Sequence, residues 1–313
     1  MNDNQSIIIK RRRNWVTTLK RERQLWIIAT VALAYIAVFY ITPMLGNYIA
    51  FINFRPARNI FQSDFVGLKN FTDFFILPDV WNVLRNTLVM GGLNITIGFV
   101  SPIVLALLLN ELRLRRYKRV VQTISYLPHF VSWVVVASIA TTLLGNEGAV
   151  NELLLMLGLV ERPVNILNNG GTYWAFITTL NIWKGIGYGS IIYISAIAGV
   201  DQELYQAGAV DGLGRWGMVW HITLPGIATT IVMLFILNTG QIINGGFEQH
   251  LLLGTPTTRE YYETIDTFVY RYGIELGRYS FAAAVGLLKG VISVILLSIT
   301  NFIVRKATEM SLF

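Results

Sequence analysis

The sequence predicts an all-α membrane protein with six transmembrane helices, and three observations carry that reading. The chain of 313 residues is 54% hydrophobic with only 14% charged side chains, and its mean hydropathy is +0.53, a balance far from that of soluble domains. Its apolar residues cluster into six windows, at 25–45, 86–109, 120–144, 173–197, 227–244 and 281–304. Each is close to the roughly 20 residues that a helix needs to cross about 30 Å of hydrocarbon, the fifth being the shortest. Unpaired backbone groups are costly in lipid, so spans of this length are helices; strands would need only about 10 residues. The third observation is where Lys and Arg fall. Residues 1–24, the loops 110–119 and 198–226 and the tail after 304 hold fifteen basic side chains, whereas the alternate loops 46–83, 146–172 and 245–280 hold seven, with eleven of the eighteen acids. The positive-inside bias therefore predicts that both termini are cytoplasmic.

The first apolar run begins after 24 mostly polar residues and is too long for the core of a cleaved leader, so the N-terminal segment is expected to stay attached. Its KRRR at 10–13 and the net charge of +7 fit an anchor at anionic lipid better than a nucleic-acid arm. Zero cysteines exclude disulfides, thiolate metal sites and a cysteine nucleophile. Inside the windows stand Asn94, Asn181, Lys184, Asn238, Gln241 and Lys289. Polar groups at that depth must face protein or water, so each either bonds between helices or lines a solute path. Gly185, Gly187 and Gly189 follow Lys184 at two-residue spacing, which suits a loosened or closely packed helix.

A search for catalytic chemistry returns nothing. His129, His221 and His250 fall in different segments, so a shared metal is not expected and each is read as a hydrogen-bonded residue. The sequence holds no H-E-x-x-H, G-x-S-x-G or G-x-x-x-x-G-K-[ST] pattern, so neither metal-assisted hydrolysis nor ATP binding has a site in this chain. Gly212, Gly214 and Gly217 of DGLGRWG spell G-x-G-x-x-G, yet no buried strand precedes them and the next acid after Asp211 is Glu248. That context does not support a dinucleotide site. Uphill transport would therefore draw its energy from a partner. A secondary transporter of a small polar solute is the alternative, but it calls for an internal repeat and paired intramembrane acids, and neither is visible.

In the loop 198–226, Leu204, Gly208 and Gly212 share one helical face and Glu203, Ala207 and Asp211 the neighbouring one. A helix of such small residues lets another protein approach closely. Pro225 is expected to open the fifth span at a first-turn position, with Thr223 as its cap. In the loop 245–280, Tyr261, Ile265 and Phe268 at helical spacing predict one short helix outside the membrane, either at a protein contact or on the membrane surface.

The run Glu203, Ala207, Asp211, Gly212, Ile222, Leu224 and Pro225 resembles the EAA loop of binding-protein-dependent ABC importer permeases, roughly E-x-x-x-A-x-x-x-D-G-A followed by I-x-L-P. Leu213 stands where the family usually has Ala, and Gly208 where a second Ala is frequent. NTL at 86–88, ALLLNEL at 106–112, YLPHFVSWVVV at 126–136, WKGIGYGSIIYISAI at 183–197 and AAAVGLLKGVISVIL at 282–296 are similar to the subgroup importing oligo- and polysaccharides. The resemblance implies the ABC importer permease fold in the bacterial cytoplasmic membrane. It divides the chain into a cytoplasmic basic segment 1–24, a transmembrane permease domain 25–304 and a cytoplasmic tail 305–313. Implied partners are a second permease, a related heterologous chain, two cytoplasmic ATPase subunits and an extracytoplasmic solute-binding protein. ATP and magnesium would sit in the ATPases, and no cofactor, metal or nucleic acid is expected on this chain. The coupling residues would be Glu203, Ala207, Gly208, Asp211, Gly212, Leu224 and Pro225. The expected path residues are Asn181, Trp183, Lys184, Tyr188, Asn238, Gln241 and Lys289. The two lysines have no acid embedded in the same windows, which points to an anionic or heavily hydroxylated saccharide such as alginate fragments, with Trp183 and Tyr188 available to stack on sugar rings.

Overall fold

A computed structural model describes residues 22–308; the basic segment 1–21 and the tail 309–313 lie outside the described residues. By packing, the chain forms two compact units, Met1–Ile49 and Ala50–Phe313. Most of the first unit's described part belongs to helix α1 (Arg23–Phe51), in which no residue from Arg23 to Leu45 is buried. A helix apolar on every side and packed on none of its own unit has a surface suited to hydrocarbon.

The second unit is helical throughout its described residues, apart from one isolated bridge between Ile52 and Phe65. In chain order its main helices are α2 (Lys69–Ile76), α3 (Val80–Asn110), α4 (Arg115–Tyr126), α5 (Trp133–Leu144) and α6 (Ala149–Met156). They continue as α7 (Gly170–Ala198), α8 (Gln202–Val210), α9 (Arg215–Gly226) and α10 (Ala228–Thr239). Three short helices, α11 (Glu248–Leu253), α12 (Arg259–Tyr262) and α13 (Ile265–Tyr270), precede α14 (Tyr279–Thr308). Among the described residues four helical stretches have the length and apolarity to cross a membrane, α1, α3, Trp133–Met156 and α14. The bent pair α9 and α10 makes a fifth if it is one span. Helix α7 has 29 residues, but Lys184, its amides and its glycines dilute its apolarity.

Three expectations are corrected. The third window, 120–144, is not one helix: α4 stops at Tyr126, a 3₁₀ turn covers Leu127–Phe130, and α5 starts at Trp133. Pro128 lacks an N–H and Ser132 caps the next helix, its Oγ accepting from the Val135 amide at 3.3 Å, so the sequence punctuates the run twice. Thr223 does not cap the fifth span. It lies inside α9, where its hydroxyl meets the Tyr205 hydroxyl at 3.0 Å, and the chain bends by 63° between α9 and α10, two residues after Pro225. The 259–270 stretch is two helices, α12 and α13, and Ile265 and Phe268 are buried with Phe74, Val83 and Phe281. It is built into the fold because those side chains bury more apolar surface there than on a free helix.

Close packing positions the centre of the unit. A Cβ on Gly187 of α7 would overlap the Ser125 carbonyl at the end of α4, and one on Gly189 would come within 3.0 Å of the Pro102 ring in α3. Two of the three spaced glycines are thus close-approach sites. Pro102 leaves the Gly98 carbonyl without its helical donor, and the Ser101 hydroxyl donates to that oxygen at 3.2 Å. Immediately before it, Asn94–Gly98 forms a π-turn, a distortion common at functional sites.

Candidate coupling and solute-path sites

The loop at 198–226 folds as a capped hairpin. Asp201 accepts from the Glu203 amide at 2.9 Å and starts α8. At the other end Gly212 has φ +78°, the Leu213 amide donates to the Gly208 carbonyl at 2.9 Å, and the Gly212 amide donates to the Ala209 carbonyl at 3.2 Å. This pair of bonds is a Schellman turn, whose left-handed residue is normally glycine. Gly208 is buried, and a Cβ there would come within 2.8 Å of Ile222 Cδ1 and 3.1 Å of Leu213 Cδ1. The reading of Gly208 and Gly212 as one bare face is therefore corrected: one glycine admits α9 and the other turns the chain. Glu203, Ala207 and Asp211 are exposed and Leu224 half-buried, while Pro225 is exposed near the end of α9. Leu204, Val210 and Trp216 are 52%, 88% and 71% exposed, so the hairpin presents apolar side chains outward.

The expected path residues are distributed over four places. Asn181 lines a cavity of about 130 Å³ between α3 and α7, together with Asn94, Ser101 and Thr178. Lys184, one turn on, donates from Nζ to the carbonyls of His129 at 2.7 Å and Val131 at 2.6 Å, with Pro128 at 3.5 Å. It therefore holds the carbonyls that the break between α4 and α5 leaves free. Trp183 and Tyr188 are both about half exposed, and the Tyr188 ring stacks on His129 at 3.9 Å with the planes 2° apart. Asn238 turns back to its own helix, donating to the Leu234 carbonyl at 2.8 Å, and Gln241 bonds Asn244. Lys289 pairs with Asp266 of α13. No acid is embedded in the windows of the two lysines, but Lys289 is neutralised from outside them by Asp266, so its charge no longer argues for an anionic solute.

Helix α12 and the turn after it are tied to α3 by polar contacts. Asn86 donates to the carbonyls of Glu260 at 2.9 Å and Glu263 at 3.0 Å, and the guanidinium of Arg85 lies 5.4 Å from the rings of both Trp174 and Tyr261. Glu263 is buried and bonds Arg271 at 2.6 and 2.8 Å. His250 is hydrogen-bonded, as expected from the sequence. It is fully buried, with Nδ1 3.0 Å from the Tyr173 hydroxyl and Nε2 3.0 Å from the Gly245 carbonyl. The carbonyl can only accept, so the proton is on Nε2 and Tyr173 donates to Nδ1. Among the described residues no cluster of three His, Asp or Glu could hold a metal.

Residues 95–309 match the family described as the inner membrane component of binding-protein-dependent transport systems. The chain belongs to this family. The permease is 40% identical to Protein LplB of Bacillus subtilis over 301 residues, covering 96% of this chain and 94% of that protein. It is 39% identical to the polygalacturonan/rhamnogalacturonan transport system permease protein YteP of the same organism, covering 97% and 94%. Its fold superposes with TM-score 0.86 and 35% identity on a chain of a bacterial ABC transporter involved in the import of the acidic polysaccharide alginate, over 93% of the permease and 98% of that chain. A second match, with TM-score 0.87, 34% identity and coverage of 95% and 99%, is to an alginate ABC transporter in complex with an alginate pentasaccharide-bound periplasmic protein. The permease is thus a membrane-embedded transport component.

Proposed function

We propose that the permease carries a saccharide, and specifically an acidic one, through the cytoplasmic membrane as one half of an ATP-driven importer. The observation supporting this is that relatives spanning almost the whole chain include both an alginate transporter and a polygalacturonan permease, whose shared cargo is a polymer of sugar acids. In this reading α7 and the bent pair α9 and α10 complete six spans, and both termini are cytoplasmic, as the split of basic residues implies. The path runs beside Asn181, Trp183, Lys184 and Tyr188, where α7 meets the π-turn of α3 and the non-helical segment 127–132. Irregular backbone at membrane depth is tolerated where it is packed in protein or lines a cavity, and this segment does the first through Lys184. Asn238, Gln241 and Lys289 belong to the same path, with Lys289 held by Asp266. Transport occurs by alternating access with a related second permease, two ATPases that hold ATP and magnesium, and a solute-binding protein outside.

Uptake of labelled oligosaccharides by cells carrying the assembled importer tests the cargo. Galacturonate or alginate oligomers are expected to accumulate and to compete with one another, while neutral oligomers of equal length compete weakly. Equal competition by neutral oligomers would overturn the acidic assignment.

Coupling runs through α8 and the turn after it, with Glu203, Ala207, Asp211 and the apolar Val210 and Trp216 meeting an ATPase, and with Gly208, Gly212, Leu224 and Pro225 shaping the hairpin that offers them. Burying a carboxylate in an apolar contact without a partner costs about 1–3 kcal/mol or more, so Val210→Asp is expected to reduce ATPase co-purification roughly 5- to 150-fold while membrane insertion is unchanged. Full ATPase retention in that variant would remove α8 as the coupling element.

A further inference from the structure

At the end of the second unit opposite α8 in the proposed orientation, the chain after α1, the first turns of α2 and the start of α14 enclose a polar cleft of about 280 Å³. Arg55, Lys69 and Arg278 line it against a single acid, Asp73. Two nearby cations are matched, Arg271 by Glu263 and Asp79 and Lys289 by Asp266, whereas among the described residues the exposed Arg259 of α12 is not. The three cations of the cleft make no ion pair among the described residues. They repel one another and are sustained there without the direct neutralisation given to Arg271 and Lys289.

The walls are fixed. Asn70 donates to the Ala50 carbonyl at 2.8 Å, and the Phe54 amide donates to the Ser280 hydroxyl at 2.9 Å, which joins the end of α1 to α2 and the chain after α1 to α14. The guanidinium of Arg278 lies 4.6 Å from the Phe281 ring centroid and 5.5 Å from that of Tyr272. The two rings position this cation, and its N–H groups make no side-chain hydrogen bond among the described residues, which leaves them for an external acceptor. Asn53 and Tyr279 add hydrogen-bonding groups to the lining, and Tyr279 also offers a ring. A neutral sugar would not call for three cations. An inorganic anion would have no use for Asp73, which can only accept hydrogen bonds when ionised. A sugar acid uses both, with its carboxylate on the cations and its hydroxyls on Asp73 and Asn53.

We propose that this cleft is a binding site for the carboxylate of a uronate residue, a receiving site at the outer mouth of the permease distinct from the cavity between α3 and α7. The assignment rests on the reading of the cargo as an acidic saccharide. Its test uses the complete importer in lipid nanodiscs without the solute-binding protein, titrated calorimetrically with trigalacturonate and, separately, with maltotriose. Trigalacturonate is expected to bind at least about 10-fold more tightly than maltotriose, and to weaken as salt is raised. Arg55→Gln and Arg278→Gln should each weaken trigalacturonate by about 10-fold, the scale of one charge-assisted hydrogen bond, and leave maltotriose unchanged. Arg55 is exposed and its side chain makes no hydrogen bond or ion pair among the described residues, so its variant separates binding from any loss of the Arg278 ring contacts.

Equal affinity for the two probes in the unmodified importer, or unchanged trigalacturonate affinity in Arg55→Gln, overturns the assignment. It also fails if both variants keep trigalacturonate affinity and lose only stimulation by the solute-binding protein, for then the cleft receives a carboxylate of that partner. Import of saccharides that persists while the cleft variants bind normally would leave the transport reading standing and remove this site alone.

Discussion

Lys184→Met is expected to deplete folded permease from the membrane, while the molecules that survive keep their half-saturating solute concentration. The ammonium donates to the carbonyls of His129 and Val131 at 2.7 and 2.6 Å and lies 5.7 Å from the Trp133 ring. Methionine matches its volume and supplies no donor. Each carbonyl left unpaired away from water costs about 1–3 kcal/mol, so the two short bonds together put roughly 2–6 kcal/mol at stake. That is comparable to the whole stability of many domains. Lys184→Arg keeps charge and donors and is expected to recover most of the yield. The measurement is membrane-inserted yield beside uptake against solute concentration for both variants. Normal yield for Lys184→Met with a raised half-saturating concentration would instead make Lys184 a contact for the solute.

The apolar windows at 25–45, 86–109 and 281–304 were legible because α1, α3 and α14 are predominantly apolar over about 20 residues despite Asn94 and Lys289, a property carried by composition alone. The window at 120–144 misled for the same reason. Hydropathy counts Leu127, Phe130 and Val131 as apolar regardless of backbone, whereas Pro128 and Ser132 decide the backbone. Both signals were in the sequence and pointed to a break. In the coupling loop the helix itself was readable from its small residues and acids, and Asp201 and Gly212 are its punctuation. What the local pattern could not show was why Gly208 is bare, because the side chain that fills its space is Ile222, which only the return of α9 brings near.

The candidate path shows the same division. Which residues are polar at membrane depth was evident, but what each one faces depends on partners far along the chain. Asp266 reaches Lys289 from an outer helix 23 residues earlier, and the carbonyls held by Lys184 come from the break between α4 and α5, which the window reading had erased. Periodicity in TREYYETIDTFVYRYG revealed helix, and the step from Tyr262 to Ile265 that splits it follows from burying Ile265 and Phe268 in the core shared with α3 and α14. Glu263, at that step, is buried against Arg271, so reversing its charge would disrupt the fold before it informed on any contact with a partner.

Acid is expected to destabilise the permease through His250. Burial pushes this imidazole down from its ordinary value of 6.5 to about 4, and the bond to the Gly245 carbonyl offsets only part of that. In the fold it is neutral, donating from Nε2 to Gly245 and accepting at Nδ1 from Tyr173, with the Tyr262 ring 6.2 Å from that of Tyr173. An imidazole with a lowered folded value adds its full stability above pH 6.5. That stability is lost as pH falls from 6.5 towards 4, because the unfolded chain takes up the proton first. The span of about 2.5 units corresponds to roughly 3 kcal/mol at its lower end. Protonation in the fold would also set an N–H against the Tyr173 hydroxyl hydrogen and force that bond to turn. His250→Gln supplies one donor and one acceptor and does not titrate. Thermal unfolding of the purified permease in detergent, followed from pH 7.5 to 4.5, should therefore show a midpoint that falls several degrees more in the unmodified chain than in His250→Gln. The Glu263 and Asp266 pairs are present in both proteins and cancel from the comparison. Parallel pH profiles would mean that His250 takes up its proton at the same pH in the folded and the unfolded chain, as when its site opens to water before the rest of the fold, and a smaller fall in the unmodified chain would mean that it is already protonated in the fold near neutral pH; either result would reject the neutral, buried imidazole as the source of acid sensitivity.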